Sequence, residues 1–381
     1  MDRVDVAIVG AGPVGAALAA MLVPAGLSVR VLEARAAPSR DARTLALSQA
    51  SRDCLGQAGG WPGAGVTAIA DIHVSQKGGP GRTLITAADQ GLAALGYTVA
   101  YACLEEALGR RLAQLGAAVS WGAACEEIDL GVDGARLRLA GGEAVEARLL
   151  VLADGGANAR RIPGLAYAEK DYGQVAVTGP VRTDRPHRGR AYERFTPEGP
   201  LALLPVDDRY ALVWTATPAK AERLLAMDER AFLAGLQAHF GDRAGRFVAS
   251  GPLAAFPLRL RTINTTVALR TVIAGNAAQA MHPIAGQGLN IGLRDAAALA
   301  AILAAEPGAD PGSPAVLEAY RASRRRDAGR GVAFTDFLVG AFMDARRLPT
   351  WGRGAALTML DLLPPARRWL AGRMIHGAPT P

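Results

Sequence analysis

Apolar residues follow two rhythms along this chain: short blocks that read as strands, and longer Ala- and Leu-rich stretches with helical spacing. The first block, Val6 to Val9, runs into glycines at 10, 12 and 15 and then an apolar stretch to about Ala25; a second block, Ser28 to Leu32, ends at Glu33. That succession of strand, helix and strand predicts the opening of a parallel α/β layer. Asp41 to Ser51 (DARTLALSQAS) reads as a polar loop leading into a helix. Short alternating runs with Gly turns over Ala70 to Ile85 and Val119 to Val151 predict antiparallel strands, with a helix at Leu104 to Leu115 between them. Leu149 to Ala153 is a further buried strand, and it delivers Asp154 and Gly155. Val175 to Val181 and Leu201 to Trp214 alternate again, with a hairpin turned at Pro197 to Pro200. Ala221 to His239 predicts one amphipathic helix, and Phe256 to Arg261 a strand.

The stretch from Thr271 to Asp295, TVIAGNAAQAMHPIAGQGLNIGLRD, organises the rest. An apolar run ends at Gly275. A turn carrying His282, Pro283, Gly286, Gln287 and Gly288 follows, and Leu289 opens a helix to about Ala305. A Gly-rich turn feeding a helix start presents unpaired N–H groups and the positive end of the helix dipole, a setting that favours negative charge. Glycines at 286 and 288 admit a flat ligand close to the backbone, and Asn290 adds an amide. An ordinary structural corner would carry much the same pattern. After Pro311 the chain reads as helical, with Phe334, Phe337, Leu338, Phe342, Leu357, Leu360, Leu362 and Leu363 on apolar faces suited to packing or to a membrane surface.

Composition narrows the class. With 381 residues, half hydrophobic and a fifth charged, the chain can hold two domains sharing an interface. The net charge of +7 is dispersed, with its main cluster at Arg321, Arg324, Arg325 and Arg326; no nucleic-acid recognition motif accompanies it, and such clusters are commonly solvated helix faces. Three cysteines without C-x-x-C spacing indicate neither a disulfide framework nor a zinc site, and so a reducing compartment. A strand at about Val4 leaves no room for a signal peptide, and no uninterrupted apolar run reaches the roughly 18 residues of a membrane span.

Gly10, Gly12, Gly15 and Glu33 carry the strongest chemical signal. In a dinucleotide-binding fingerprint the first glycine makes the turn, the second admits a pyrophosphate, the third lets helix and strand pack, and an acid about 20 residues on holds the adenosine ribose. The spacing alone is weak, but here it sits between the required strand, helix, strand and acid. Arg43 could reach the cofactor phosphates or be a surface arginine. Asp154 could address the ligand or cap its own turn.

Three separated elements, the N-terminal fingerprint, Asp154-Gly155 and AGNAAQAMHPIAGQGLN at 274 to 290, resemble the class A flavoprotein aromatic monooxygenases of the p-hydroxybenzoate hydroxylase type. DARTLALSQAS, YGQVAV, ERFTPEGPLALLPV and HPIAGQGLNIGLRD are similar, more narrowly, to the ubiquinone-ring hydroxylases, over nearly the whole chain. The resemblance implies a Rossmann-like α/β FAD-binding domain (1–70 with 100–165 and 262–330), an inserted mainly antiparallel substrate domain (71–99 and 166–261), and C-terminal helices (331–381). It implies FAD as cofactor, NAD(P)H as transient reductant and O₂ as co-substrate, with a flavin hydroperoxide hydroxylating a polyprenylated phenol of ubiquinone biosynthesis. Gly275 and Asn276 would lie beside the ribityl chain, Gly286, Gln287, Gly288, Leu289 and Asn290 at the pyrimidine end of the isoalloxazine, and Pro283 on its reacting face. His282 would be a base or simply fix the turn.

The implied setting is cytoplasmic, peripheral at the inner membrane surface, with a lipid-linked substrate and with a biosynthetic complex or homo-oligomer as partners. Three positions depart from the family pattern: Asn276 stands for an Asp, Asn158 for a Ser, and Ala102 for an Arg. A flavin hydroxylase of a soluble aromatic metabolite and a non-catalytic member of the biosynthetic assembly are the alternatives.

Overall fold

The computed structural model describes residues 3–39, 41, 43–79, 81–117, 119–281, 287–325, 350–363, 365–366, 368 and 371–372. His282, Pro283, Gly286 and the phenylalanines at 334, 337 and 342 lie outside them.

The N-terminal unit forms β1 (Arg3–Val9), α1 (Pro13–Leu22) and β2 (Val29–Glu33). Helix α1 is buried along nearly its whole length, which fits its lack of a polar face. β3 (Thr44–Ser48) is a strand where the sequence predicts a polar loop; its pairing with a distant strand outweighs the polarity of its flanks, Asp41, Arg43 and Gln49. There follow α2 (Gln49–Gln57), β4 (Val66–Ile69), β5 (Asp71–Gln76), β6 (Arg82–Thr86), β7 (Gly96–Ala100) and α3 (Tyr101–Gln114). Next come β8 (Val119–Trp121), β9 (Cys125–Gly131), β10 (Gly134–Leu139) and β11 (Ala144–Leu152). Strands β1, β2, β8 and β11 pair in parallel, which corrects the antiparallel expectation for β8 and for the β1-facing edge of β11, because both dock beside the strands of the N-terminal unit; β9 and β10 form the antiparallel arm expected there.

The middle of the chain supplies β12 (Tyr167–Thr183), β13 (Arg190–Thr196), β14 (Gly199–Val206) and β15 (Arg209–Ala216). Two helices, α4 (Pro218–Ala226) and α5 (Glu229–Phe240), replace the single helix expected there. The Asp228 carboxylate accepts from the Ala231 amide at 2.7 Å, capping α5 and ending the first run. β16 (Phe247–Ser250) and β17 (Ala254–Ile263) complete this part, and β18 (Val267–Ala268), β19 (Thr271–Ile273) and β20 (Gln279–Ala280) return the chain to the first. Helix α6 (Gln287–Ala305), helical residues 314–325 (α7) and α8 (Thr350–Leu362) end it.

Among the described residues these strands make an eight-stranded sheet ordered β18-β19-β11-β1-β2-β8 with β9 and β10 attached, a nine-stranded sheet ordered β20-β17-β12-β15-β14-β13-β5-β6 with β16 attached, and a small β3-β7-β4 sheet. One face of the nine-stranded sheet, with Val177, Tyr192, Leu203, Leu212 and Trp214, is sealed by Phe232, Leu236 and Phe240 of α5. The opposite face carries Phe256, whose ring has the Arg43 guanidinium above it at 5.9 Å, so it looks toward the nucleotide-type fold. Residues 288–305 are apolar enough, by length and composition, to cross a membrane, contrary to the sequence scan, where Arg294 and Asp295 interrupt the run. Half of that window is buried, and α6 packs on α1 at a point where any Cβ on Gly292 would come within 2.7 Å of Val14.

Candidate functional site

The fingerprint glycines divide by geometry. Gly10 has φ +107°, and a Cβ there would stand 2.6 Å from the Ala153 carbonyl oxygen. A Cβ on Gly15 would meet the Gly10 carbonyl oxygen at 2.1 Å, so these two hold β1, α1 and β11 together. Gly12 is different: its Cβ would meet only the Tyr101 hydroxyl, at 3.6 Å. It is the N-cap of α1 and offers no side chain to the helix start. Open space before uncapped amides is the arrangement a pyrophosphate requires.

Glu33 ends β2 beside this turn. Its carboxylate accepts from the Ala11 amide at 2.9 Å and the Arg35 amide at 3.0 Å, and pairs with the Arg35 guanidinium. Burial works against its ionisation, but the bonds from Arg35 and Ala11 outweigh it and hold the Glu33 carboxyl below its ordinary value. Arg35 also reaches Glu105 of α3 at 2.9 Å, joining β2 to that helix. Sequence reading missed Arg35 and Glu105, whose partnership spans 70 positions.

Arg43 stands at the start of α3, where its carbonyl accepts the Tyr101 amide at 2.9 Å and its guanidinium lies 5.8 Å from the Tyr101 ring. The Asp41 carboxylate accepts from Arg43 Nε at 2.7 Å. Half-exposed, Arg43 occupies the Gly12 side of the cleft together with Tyr101. Asp154 caps its own turn, accepting from the Gly156 amide at 2.9 Å and from the Asn158 amide and carboxamide at 2.9 and 2.7 Å. Asn158 thus stabilises the turn, and Arg161 ties the turn to β9 by donating to the Cys125 carbonyl at 2.7 Å.

At the far end Gly275 takes φ +63°, and its amide donates to Asp295 Oδ2 at 3.0 Å. The same oxygen accepts from Gln279 Nε2 at 3.1 Å, and Asp295 Oδ1 from Arg324 Nε at 2.7 Å. Burial pushes the Asp295 carboxyl above its ordinary value, against the pull of Arg324 and of the Gly275 and Gln279 donors. Arg324 belongs to the basic cluster expected on a solvated face; it is instead buried, because Leu317, Tyr320 and Arg324 share one stripe of α7. That spacing was the available signal for it.

Asn276 is exposed, and a Cβ on Gly288 would lie 3.7 Å from its side-chain oxygen. Those two residues therefore face each other at the start of α6. Asn290 is buried, and its carboxamide is committed within the protein. Its oxygen accepts from the Ser48 amide at 2.8 Å and the Ser51 hydroxyl at 2.6 Å, and its nitrogen donates to the Ala46 carbonyl at 3.0 Å. The side chain fastens α6 to β3 and α2 and is occupied there rather than in the ligand contact expected of it. Leu289 packs against the central core, and Gln287 opens the helix.

A model of the FAD binding domain family matches residues 3–335. The chain belongs to that FAD-binding family. It is an FAD-dependent monooxygenase, with O₂ and NAD(P)H as the co-substrates of its class. The ubiquinone hydroxylase UbiL of Rhodospirillum rubrum is 37% identical over 380 residues, covering 96% of this chain and 88% of that protein. The 3-demethoxyubiquinol 3-hydroxylase of Escherichia coli is 33% identical over 355 residues, covering 85% of this chain and 86% of the relative. Among solved structures, the p-nitrophenol 4-monooxygenase PnpA of Pseudomonas putida superposes with a TM-score of 0.79 over the whole of both chains at 20% identity, which speaks for the fold.

Proposed function

We propose that this FAD-dependent monooxygenase hydroxylates the aromatic ring of a polyprenylated phenol or quinol in ubiquinone biosynthesis. The observation that carries this reading is the near full-length similarity to the Rhodospirillum rubrum ubiquinone hydroxylase. The open cradle at Gly12 and the facing pair Asn276 and Gly288 suit an extended dinucleotide. In this reading Gly10, Gly12, Gly15, Glu33 and Arg43 serve the adenosine diphosphate. Asp154 shapes the cofactor-side turn through its cap, Gly275 and Asn276 serve the ribityl chain, and the backbone from Gly286 to Asn290 the pyrimidine ring, with Pro283 and His282 beside the substrate.

Bound there, the flavin supplies the redox and oxygen-transfer chemistry. The protein supplies orientation: the buried Asp295 carboxylate fixes the Gly275 amide, and Asn290 locks the start of α6 to β3. The positive end of α6 favours negative charge on whatever ring abuts it. The nine-stranded sheet then acts as the substrate body, its inward face excluding water from the ring. Met359, Leu362 and Leu363 are exposed on and just after α8, an apolar patch suited to a prenyl tail or a membrane surface.

Profiling quinone intermediates by mass spectrometry in a deletion strain, with and without this gene, tests the proposal. Accumulation of one under-hydroxylated prenylphenol, cleared by complementation, is expected. An unchanged quinone pool rejects it.

A further inference from the structure

The inward face of the nine-stranded sheet holds an acid that no element of the cofactor site uses. On β13 the side chains alternate: Tyr192 lies in the core sealed by α5, and Glu193 points the other way. Strand register places Glu193 in one row with Thr83 and Val74 on one side and Ala202, Val213 and Thr178 on the other. From Val74 to Thr178 every member of this row keeps partial exposure, whereas Tyr192, Leu203 and Leu212 behind it are sealed. Glu193 nevertheless sits deep in the molecule. A deep residue that retains accessible surface, in a row of small and apolar neighbours, is what lines a cavity.

The row is closed at one end. The Thr83 hydroxyl donates to the Leu357 carbonyl of α8 at 3.1 Å, so that helix lies over the β6 edge. At the other side the sheet runs to Phe256, beneath Arg43 of the cofactor cleft. No described side chain hydrogen-bonds or pairs with the Glu193 carboxyl, and burial alone lifts it to about 7. The charged groups nearby are turned elsewhere: His73 and Arg194 lie on the sealed face, and Asp361 of α8 accepts the Leu84 amide at 3.0 Å.

Resting on the hydroxylase reading, we propose that Glu193 is the substrate-contacting group that accepts the hydrogen bond of the ring hydroxyl and then takes its proton. The O–H bond breaks, the proton passes to a Glu193 carboxylate oxygen, and the electron pair stays on the phenolate oxygen. No oxidant is consumed in that step. The phenolate enriches the ring in electrons, which favours attack on an electrophilic oxygen, and a carboxyl titrating near neutrality suits the transfer. The same group discriminates against rings whose oxygen is methylated, because an ether would leave the buried carboxylate unpaired.

The test uses FAD-loaded protein with 2-geranylphenol and its methyl ether as probes, measuring NAD(P)H oxidation and hydroxylated product from pH 6 to 10. The wild type should turn over the phenol and discriminate against the ether. Glu193→Gln should keep its flavin and lose about 100-fold in kcat at pH 7, the scale of a missing general base. It should regain rate toward pH 10, where the phenol ionises unaided, phenolic pKa values being about 10. Full activity of Glu193→Gln at pH 7, or a loss that does not recover at high pH, overturns the proposal. Should the amide variant not fold, Glu193→Asp keeps the acid one methylene short: a lowered kcat on the wild-type pH profile supports the role, and an unchanged kcat overturns it. A flavin-loaded wild type that no phenol stimulates overturns the hydroxylase reading itself, and this assignment with it, a result distinct from any change confined to the variants.

Discussion

The guanidinium of Arg324 donates to Asp295, buried midway along α6, at 2.7 Å, while the other oxygen of that carboxylate holds the Gly275 amide at 3.0 Å. One ion pair thus joins α7, α6 and the turn at Gly275. Both side chains are buried, so breaking the pair from one side strands a charge in the interior. Arg324→Met is expected to cost about 3–5 kcal/mol of unfolding free energy. The double variant Asp295→Asn, Arg324→Met should lose less than Arg324→Met alone, because no unpaired charge remains. Urea unfolding of the two variants checks this.

Gly12 and Gly15 should respond to alanine in opposite ways. At Gly15 the new methyl would stand 2.1 Å from the Gly10 carbonyl oxygen, so Gly15→Ala is expected to destabilise the fold by about 3 kcal/mol through overpacking. At Gly12 the methyl meets no protein backbone, so Gly12→Ala should unfold like the wild type. It should bind FAD at least tenfold more weakly, about 1.4 kcal/mol, since the methyl enters the space proposed for the pyrophosphate. Chemical denaturation and flavin titration separate the two effects.

Glu33 should show its hydrogen bonds in the pH dependence of stability. Its folded pKa lies below the ordinary 4.5, so its contribution is present above pH 4.5 and is lost as pH falls through the lower folded value. Glu33→Gln should therefore be less stable than the wild type at pH 7, with the difference closing in strongly acidic solution. Unfolding curves for both proteins across that range measure it.

Glu193 has the reverse sign. Its folded pKa of about 7 exceeds the unfolded 4.5, so the folded protein holds the proton more tightly and loses stability as pH rises from 4.5 to 7. Glu193→Gln, neutral at every pH, should match the wild type near pH 4 and exceed it at pH 8 by about 3 kcal/mol, the shift converted at 1.36 kcal/mol per unit. Equal stability at both pH values would show that the carboxyl is solvated.

Asn276→Asp should raise unfolding stability by about 0.3–1 kcal/mol, because a carboxylate facing Gly288 at the start of α6 meets the positive end of the helix dipole whether or not a ligand is bound. Urea unfolding of the variant beside the wild type is the measurement, and a stability below the wild type's would contradict it.

Local order was legible from residues alone. The unit from β1 to Glu33 could be read because turn, helix and acid lie within one short segment, where spacing fixes geometry. The antiparallel character of the middle of the chain followed from alternation, and the Asp154 cap from an Asp-Gly turn. What failed locally failed for a physical reason: β3 is a short run whose flanks, Asp41, Arg43 and Gln49, read as loop, and it is a strand because β7 pairs with it, while the break at Asp228 depends on a cap that a smooth apolar rhythm conceals. The joins between distant segments belonged to the tertiary structure. Arg324 reads as one more surface arginine until folding sets it against Asp295, 29 positions away, and Asn290 reads as a ligand amide until Ser48 arrives to claim it. Glu193 reads as an ordinary strand residue until eight other strands and α5 decide which face of the sheet is sealed. Sequence spacing carries information over a few residues, whereas burial and pairing are set by whichever remote segment packs there, and that is decided only when the chain closes on itself.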